Sequence, residues 1–429
     1  MREIASSDRN ALVGGPFGSD LVSKDYVPTG VPVIRGANMG KGRWVSGDFV
    51  FVSPEKADSL SSNCAKAGDL VFTQRGTIGQ VALVPEADAE RYLISQSQMK
   101  LTVNPKKADA LFLFYVFSGR EQQDYIQLNA IRTGVPHTNL SILRNTPVKL
   151  PNLAEQKAIA GILSALDSKI ELNQRISGEL EGMAKLLYDY WFVQYDFPLS
   201  AAQAAALGKP RLAGKPYRSS GGPMVYHEHL KREIPKGWEL KKLCDIESNI
   251  ITGKTPPTAD PANFSGDVPF ICIGDVRGNM HIVKTELTLS SKGAALQQNK
   301  FIPKGAICVT CIASPGLVGF ATKDSQTNQQ LNTIVCENEE HRPFLYFFIK
   351  DYFINSAGAK TGNTFANMNK GDFSAIPVVR PDTSVIRLFS ENVEGLFALI
   401  LNNSQQNQEL TTLRDWLLPM LMNGQVRVG

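Results

Sequence analysis

The sequence repeats itself once with a period of more than half its length, and a chain that does so folds as two similar units rather than one. Gly30-Val31-Pro32-Val33-Ile34 returns as Asp267-Val268-Pro269-Phe270-Ile271, at an offset of 237. Gly68, Thr73 and Gly79 return at that offset as Gly305, Thr310 and Gly316, and Lys66 returns as Lys304, shifted by one. Thr133-Gly134 and Asn139 return as Thr361-Gly362 and Asn367, at 228. Ile170, Asn173, Glu179, Leu180 and Leu187 return as Ile400, Asn403, Glu409, Leu410 and Leu417, at 230. Chance would produce any one of these matches; the ordered series is much harder to produce that way.

Each repeat has two parts. The first, over 1–150 and 236–380, reads as short strands broken by Gly, Pro and Asn, such as Asp69 to Thr73 and Ala306 to Thr310. Short helices are expected over Leu111 to Gln122 and Phe344 to Phe353, which makes a mixed α+β domain. The second part, over 151–194 and 381–429, carries apolar residues at steps of three and four: Ile159, Leu163, Leu166, Ile170, then Leu180, Ala184, Leu187 and Trp191. Phe389, Val393, Leu396, Ile400, Leu410, Leu417 and Leu421 repeat the pattern, the seam of a coiled coil. Asn173 and Ser177 interrupt the first seam where Asn403 and Asn407 interrupt the second. A buried polar residue there fixes register at a cost in stability; the alternative is that these Asn face solvent. Gly161, Gly178, Gly182 and Gly395 weaken the helices or permit their close approach. The segment 195–235, rich in Pro, Gly and Ala, reads as an irregular connector and not a third domain, long enough that part of it is expected to pack against the flanking domains.

Two α+β domains with two long antiparallel helices between them make a spacer with pseudo-two-fold symmetry. A helix of about 38 residues spans roughly 57 Å at 1.5 Å per residue, against about 34–36 Å for a turn of DNA. Two such domains would reach half-sites about one turn apart, and their divergence would make the half-sites differ. DNA does not follow from this geometry alone.

The 429 residues, 43% hydrophobic, suffice for several cores, and 20% charged argues against a disordered chain. The net charge of +4 permits nucleic-acid binding without demanding it. No signal peptide and no membrane span are expected, and six dispersed cysteines fit reduced thiols in a cytoplasmic protein.

Catalytic signatures are missing. An adenine methyltransferase needs an Asp/Asn-Pro-Pro-aromatic loop to hold the extruded base, and Asp260-Pro261-Ala262-Asn263 fails it. Gly253-Lys254-Thr255 ends like a P-loop, but Ser248 stands where the first Gly belongs. Cys308-Val309-Thr310-Cys311 lacks a second ligand pair and falls in an expected strand, so buried thiols are the better reading than zinc. His227-Glu228-His229 reads as a solvated loop. No metal or cofactor is expected on this chain.

Gly14-Gly15-Pro16-Phe17-Gly18-Ser19 resembles the GPFGS loop of type I restriction–modification specificity subunits. Val71 to Gly79 resembles their TRRGTIG segment, with Gln74 in place of the first Arg. Leu150-Pro151 with Glu155-Gln156 is similar to the start of their central helix. Ile234-Pro235 with Gly237-Trp238, then Gly253 to Pro256 and Asn328-Gln329-Gln330, resemble the opening and the NQQ motif of the second recognition domain. The second repeat departs at Ile312 to Gly316 and lacks a Glu-Gln pair at its helix start, having Thr383 to Arg387 instead. The resemblance covers essentially the whole chain. It implies a non-catalytic subunit whose two target recognition domains read a bipartite, asymmetric site on double-stranded DNA. It also implies helices that dock two methyltransferase subunits and restriction, or translocase, subunits. S-adenosylmethionine, ATP and magnesium would belong to those partners.

Direct readout uses Arg on guanine, Asn and Gln on adenine, and Ser or Thr on either. The candidates in the first domain are Arg35, Asn38, Lys41, Arg43, Gln74, Arg75, Thr77, Arg132, Thr133, His137 and Asn139. In the second they are Lys254, Thr255, Asp275, Arg277, Asn279, Ser314, Lys360, Thr361, Asn363, Thr364 and Asn367. For any one of them a solvated loop or turn-forming role is an equal alternative. Met39 and Phe365 could meet a thymine methyl, but packing is the better reading. The competing functions are a protein scaffold and a free-standing enzyme.

Overall fold

The computed structural model describes residues 1–40, 42–86, 89–131, 137–359 and 367–428. They form two compact units, Met1–Ile170 with Glu409–Gly429, and Glu171–Gln408.

In the first unit an antiparallel sheet runs in the order Leu12–Gly14, Gln98–Leu101, Leu70–Thr73, Val81–Leu83. A second, mixed sheet places Val31–Ile34 between the antiparallel Val50–Val52 and the parallel Tyr92–Ile94. Every residue of Val31–Ile34 and Leu70–Thr73 is buried, which is why both read as continuous apolar runs. Gly68 starts the turn into Leu70–Thr73 with φ +83°, a left-handed conformation that favours glycine.

The second unit repeats the core of this plan, with His281–Ile282 added to its first sheet and three strands where the other has five in its second. Ile250–Thr252, Leu331–Ile334, Ile307–Thr310 and Val318–Ala321 lie in the matching order, and Gly305 supplies the same turn with φ +85°. The registers match too. Leu12 and Leu70 both face Leu101, as Ile250 and Ile307 both face Ile334. Ile34 runs parallel to Ile94 as Ile271 runs parallel to Thr327. The internal repeat is therefore a repeat of fold.

Three local expectations need correction, and the long helices keep close to their expected bounds. The first domain helix stops at Ser118, and Gly119 separates Ala110–Ser118 from Arg120–Asn129; its counterpart His341–Ala359 is unbroken. The connector is ordered: Asp196–Pro198 pairs with Pro216–Arg218, and Met224–His227 pairs with Arg232–Pro235. Its aromatic residues explain the order, because Phe197 stacks on Trp238 at 5.6 Å and buries with Tyr195 and Phe192. The long helices are Leu153–Tyr188, extended by a π-turn to Val193, and Thr383–Met422. Gly161, Gly178, Gly182 and Gly395 have open space where a Cβ would stand, so they mark no close approach.

The helix starts also differ. Gln156, 1% exposed, accepts from Asp109 N at 2.9 Å and donates to Pro151 O at 2.8 Å, tying the first helix to its domain. At the second start Asp382 accepts from Ser384 N at 2.8 Å, a local cap in place of that tie.

Within the second unit the helices run antiparallel, Tyr188 beside Phe389 and Asn173 beside Asn407. The four polar interruptions of the seam meet one another. Asn173, 1% exposed, donates to Asn407 Oδ1 at 3.0 Å and Gln406 Oε1 at 3.2 Å, and Asn403 donates to Ser177 Oγ at 3.2 Å. Within the first unit Asp167 accepts from Tyr115 at 2.6 Å and from Arg414 at 2.8 Å.

Candidate nucleic-acid interface

Each unit carries its loops to one edge of its sheets. In the first, Gly15–Ser19, Arg35–Met39 and Gln74–Gly79 leave three different strands at the same end, and the segment 95–97 joins them. Ser95 N donates to Ile34 O at 2.9 Å, Gln74 N to Ser97 O at 2.7 Å and Gly15 N to Gln98 O at 2.8 Å. The Gln96 amide donates to Gly18 O and, at 3.0 Å, to Leu21 O. Thr138 N then donates to Gln74 O at 2.9 Å, and Arg75 is bridged to His137.

The second unit makes the same ties with different side chains. Asn328 N donates to Ile271 O at 3.1 Å, Cys311 N to Gln330 O at 2.9 Å and Gly253 N to Leu331 O at 3.2 Å. The Gln329 side chain accepts from Thr255 Oγ1, Met368 N donates to Cys311 O at 2.9 Å, and Ile312 is bridged to Asn367. A Cβ on Gly15 would sit 2.0 Å from Ser95 O, and one on Gly253 2.2 Å from Asn328 O. The crossing of backbones is what requires glycine there, so the glycine loops and the Gln motifs form one construction in each domain.

Arg35, Gln74, Arg75, Thr77 and His137 thus come together in the first unit. Lys254, Thr255, Ser314 and Asn367 do so in the second, and Arg277 reaches Ser314 with a bond of 3.1 Å. Guanidinium, amide, hydroxyl and imidazole groups on the first edge, and ammonium, hydroxyl, amide and guanidinium groups on the second, offer donors and acceptors suited to base edges and phosphates.

Other candidates have structural roles. Asn38 is fully buried; it accepts from Arg35 N at 3.0 Å and donates to Ser46 O and Asp48 O at 3.2 and 3.0 Å. Its counterpart Asp275, 8% exposed, accepts from Cys272 N at 2.7 Å and Glu286 N at 2.8 Å. Both are struts whose bonds are spent inside the loop. Arg43 lies at the far end of the sheet, where Leu83 N donates to Arg43 O, and its guanidinium bonds Ser164 O and Ser168 Oγ of the long helix. Asn279 lies at the corresponding end of the second unit's sheet, beside Met280, and donates to Asp275 O at 3.0 Å. Asn139 caps the helix Leu140–Asn145 through Ile142 N at 2.9 Å, as Asn369 caps Lys370–Ser374 through Asp372 N at 3.0 Å; the counterpart of Asn139 is therefore Asn369, and that of Asn367 is His137, which corrects the sequence match at 228. Met39 packs in a small core with Ile34 and Val45. Lys41, Arg132, Thr133, Lys360, Thr361, Asn363, Thr364 and Phe365 lie outside the described residues.

Sequence reasoning missed Gln96 and Gln329 as the clasps of this edge. It also missed Phe17, whose side chain is 87% exposed. Phe17 and Gln329 stand in the family motifs, which was the only signal for them, and Gln96 stands in none. Cys308 and Cys311 are buried, and burial pushes their thiols up to about 12 and about 11, so they pack as small apolar groups. Among the described residues no three His, Cys, Asp or Glu cluster to hold a metal ion, and no helix is long and apolar enough to cross a membrane.

The sequence matches the family described as Type I restriction modification DNA specificity domain, over residues 21–182 and 235–412. It is 32% identical to the type I restriction enzyme HindI specificity subunit of Haemophilus influenzae, over 84% of this chain and 87% of that one. It is 23% identical to the MjaIX specificity subunit of Methanocaldococcus jannaschii, over 84% and 78%. The fold is similar to the crystal structure of a type I restriction–modification S subunit from M. genitalium, with a TM-score of 0.50 and 17% identity over 96% of this chain and 92% of that one.

Proposed function

The chain belongs to the family of type I restriction–modification specificity subunits, and from that premise we propose that it reads a split, asymmetric DNA site, one half with each α+β domain. One observation carries the reading: the same clasped loop edge is built twice and furnished with unlike side chains. Arg75, Gln74 and His137 stand where the second domain has Ile312, Cys311 and Asn367. A shared frame with different side chains is what two different half-sites require.

In this reading the subunit is itself non-catalytic and cytoplasmic. Methylation and cleavage belong to modification and restriction subunits held on its helices. S-adenosylmethionine, ATP and magnesium bind to those partners. Docking is supported by an apolar stripe on the first helix, where Leu172, Ile176, Met183, Leu186 and Tyr190 recur at steps of three, four and seven and are 36–57% exposed. Such a stripe is costly in water unless a partner covers it.

The test is co-expression with the neighbouring methyltransferase gene, followed by modification-sensitive sequencing of the host genome. Methylation of one split motif is expected, one half changing on exchange of residues 1–150 and the other on exchange of 236–380. A motif indifferent to both exchanges would remove the assignment and favour a protein scaffold.

A further inference from the structure

We propose that Phe17 is a wedge with which the first recognition domain contacts a base step of its half-site. The proposal rests on the DNA-reading assignment above and adds to it a residue, a contact and an asymmetry between the domains.

Phe17 is the barest large apolar side chain among the described residues, at 87% exposed. It does not stand on a slack loop. Gly15 before it is pinned by its bond to Gln98 O and by the crossing of Ser95, which leaves no space for a Cβ. Gly18 after it turns the chain with φ +46°, and the Gln96 amide holds both Gly18 O and Leu21 O. Leu21 is buried and anchors the far side of the turn. The ring is therefore held clear of the surface by a frame that is fixed on both sides.

That placement gives the ring no packing partner among the described residues. Its neighbours through the 95–97 clasp are the loops carrying Arg35, Gln74, Arg75 and His137, groups suited to phosphates and base edges. A phosphate offers nothing to an apolar ring, whereas a base offers a flat face for stacking. A ring bare on both faces suits insertion beside a base, the device by which apolar wedges partly unstack a step. Among the described residues the second domain has no such ring at the matching loop. Its matching loop carries Lys254 and Thr255, and the Thr255 hydroxyl is turned onto Gln329. The wedge therefore acts on one half-site only.

The test uses the full chain purified with its modification subunit, on duplexes carrying the motif found by sequencing. 2-Aminopurine is placed in turn at each position of the half-site assigned to residues 1–150. Wild-type complex is expected to raise fluorescence at one step. Phe17→Ala is expected to abolish that rise and weaken motif binding about 5- to 150-fold, the range for losing one aromatic–base stack. Phe17→Trp should keep the signal, and the thermal melting of both variants should match wild type because the ring packs on nothing. The proposal falls if Phe17→Ala binds and methylates as wild type, or if its weaker binding comes with an unchanged 2-aminopurine signal. It also falls if the variant no longer purifies with the modification subunit, since the ring would then be a protein contact. Wild-type complex without any motif would instead remove the DNA-reading assignment, and the wedge with it.

Discussion

Asp167→Ala should loosen the first unit by about 3 kcal/mol, through two losses of unequal size. The Asp167 carboxylate, 7% exposed, takes the Tyr115 hydroxyl at 2.6 Å and the Arg414 guanidinium at 2.8 Å. Burial, then the bond to Asp167, raises the Tyr115 pKa well above its usual value, so the phenol stays protonated and donates. Tyr115 is 2% exposed, and stranding its hydroxyl costs about 1–3 kcal/mol. Arg414 loses less. Its side chain is 29% exposed and keeps a bond of 2.7 Å to Asp415, so the forfeited ion pair is worth about 1 kcal/mol or under. Hydrogen exchange followed by peptide, on amides of Ala110–Ser118 and the first turns of Leu153–Tyr188, reads the change without assuming that both units unfold together. Tyr115→Phe added to Asp167→Ala should recover the larger share, and the cycle of the two should give a coupling of about 1 kcal/mol or more. Additivity within about 0.3 kcal/mol would refute the reasoning, because the two groups would then not be acting through one bond.

Other expectations concern single positions. Gly178→Ala and Gly395→Ala should each stabilise the free chain by about 0.4–1 kcal/mol, read from denaturation midpoints, since both sites are exposed, helical and open to a Cβ. Gly253→Ala should abolish selectivity at one half-site and spare the other in the sequencing assay, because its Cβ would collide with Asn328 O at 2.2 Å. His281 is held down at about 4 by burial, partly offset by its bond to the Phe397 backbone. Between that value and the ordinary 6.5 the unfolded chain binds a proton that the folded unit refuses. Stability from this group is thus full above pH 6.5 and falls with acidification toward pH 4, by up to about 3 kcal/mol. A melting curve against pH should show the fall, and His281→Gln should flatten it.

The parts of the fold most legible in the sequence were those with a periodic signal. Ile159, Leu163, Ile170 and Ala184 at helical steps placed the first long helix, and the buried runs Val31–Ile34 and Leu70–Thr73 placed two strands. The Asn and Ser that break both seams were visible as matching exceptions, though not as each other's partners. The connector was misread because Pro and Gly hide short strands whose order comes from Trp238, a residue beyond their own segment. At the loop edge residue type was a poor guide. Asn38 and Asp275 have the chemistry of readers, but burial turns them into struts, while Phe17 has no polar chemistry and stands in the open.

By itself the sequence determined that there are two like units, where their helices run and which family's motifs they carry, because periodicity and repetition are properties of order along the chain. The tertiary structure alone decided which loop residues face outward. Whether a side chain is spent inside or left at the surface depends on which distant backbone crosses it, as Ser95 crosses Gly15 and Asn328 crosses Gly253. A linear pattern cannot record that crossing, since the residues that meet there are separated by tens of positions and are brought together only when the strands pair.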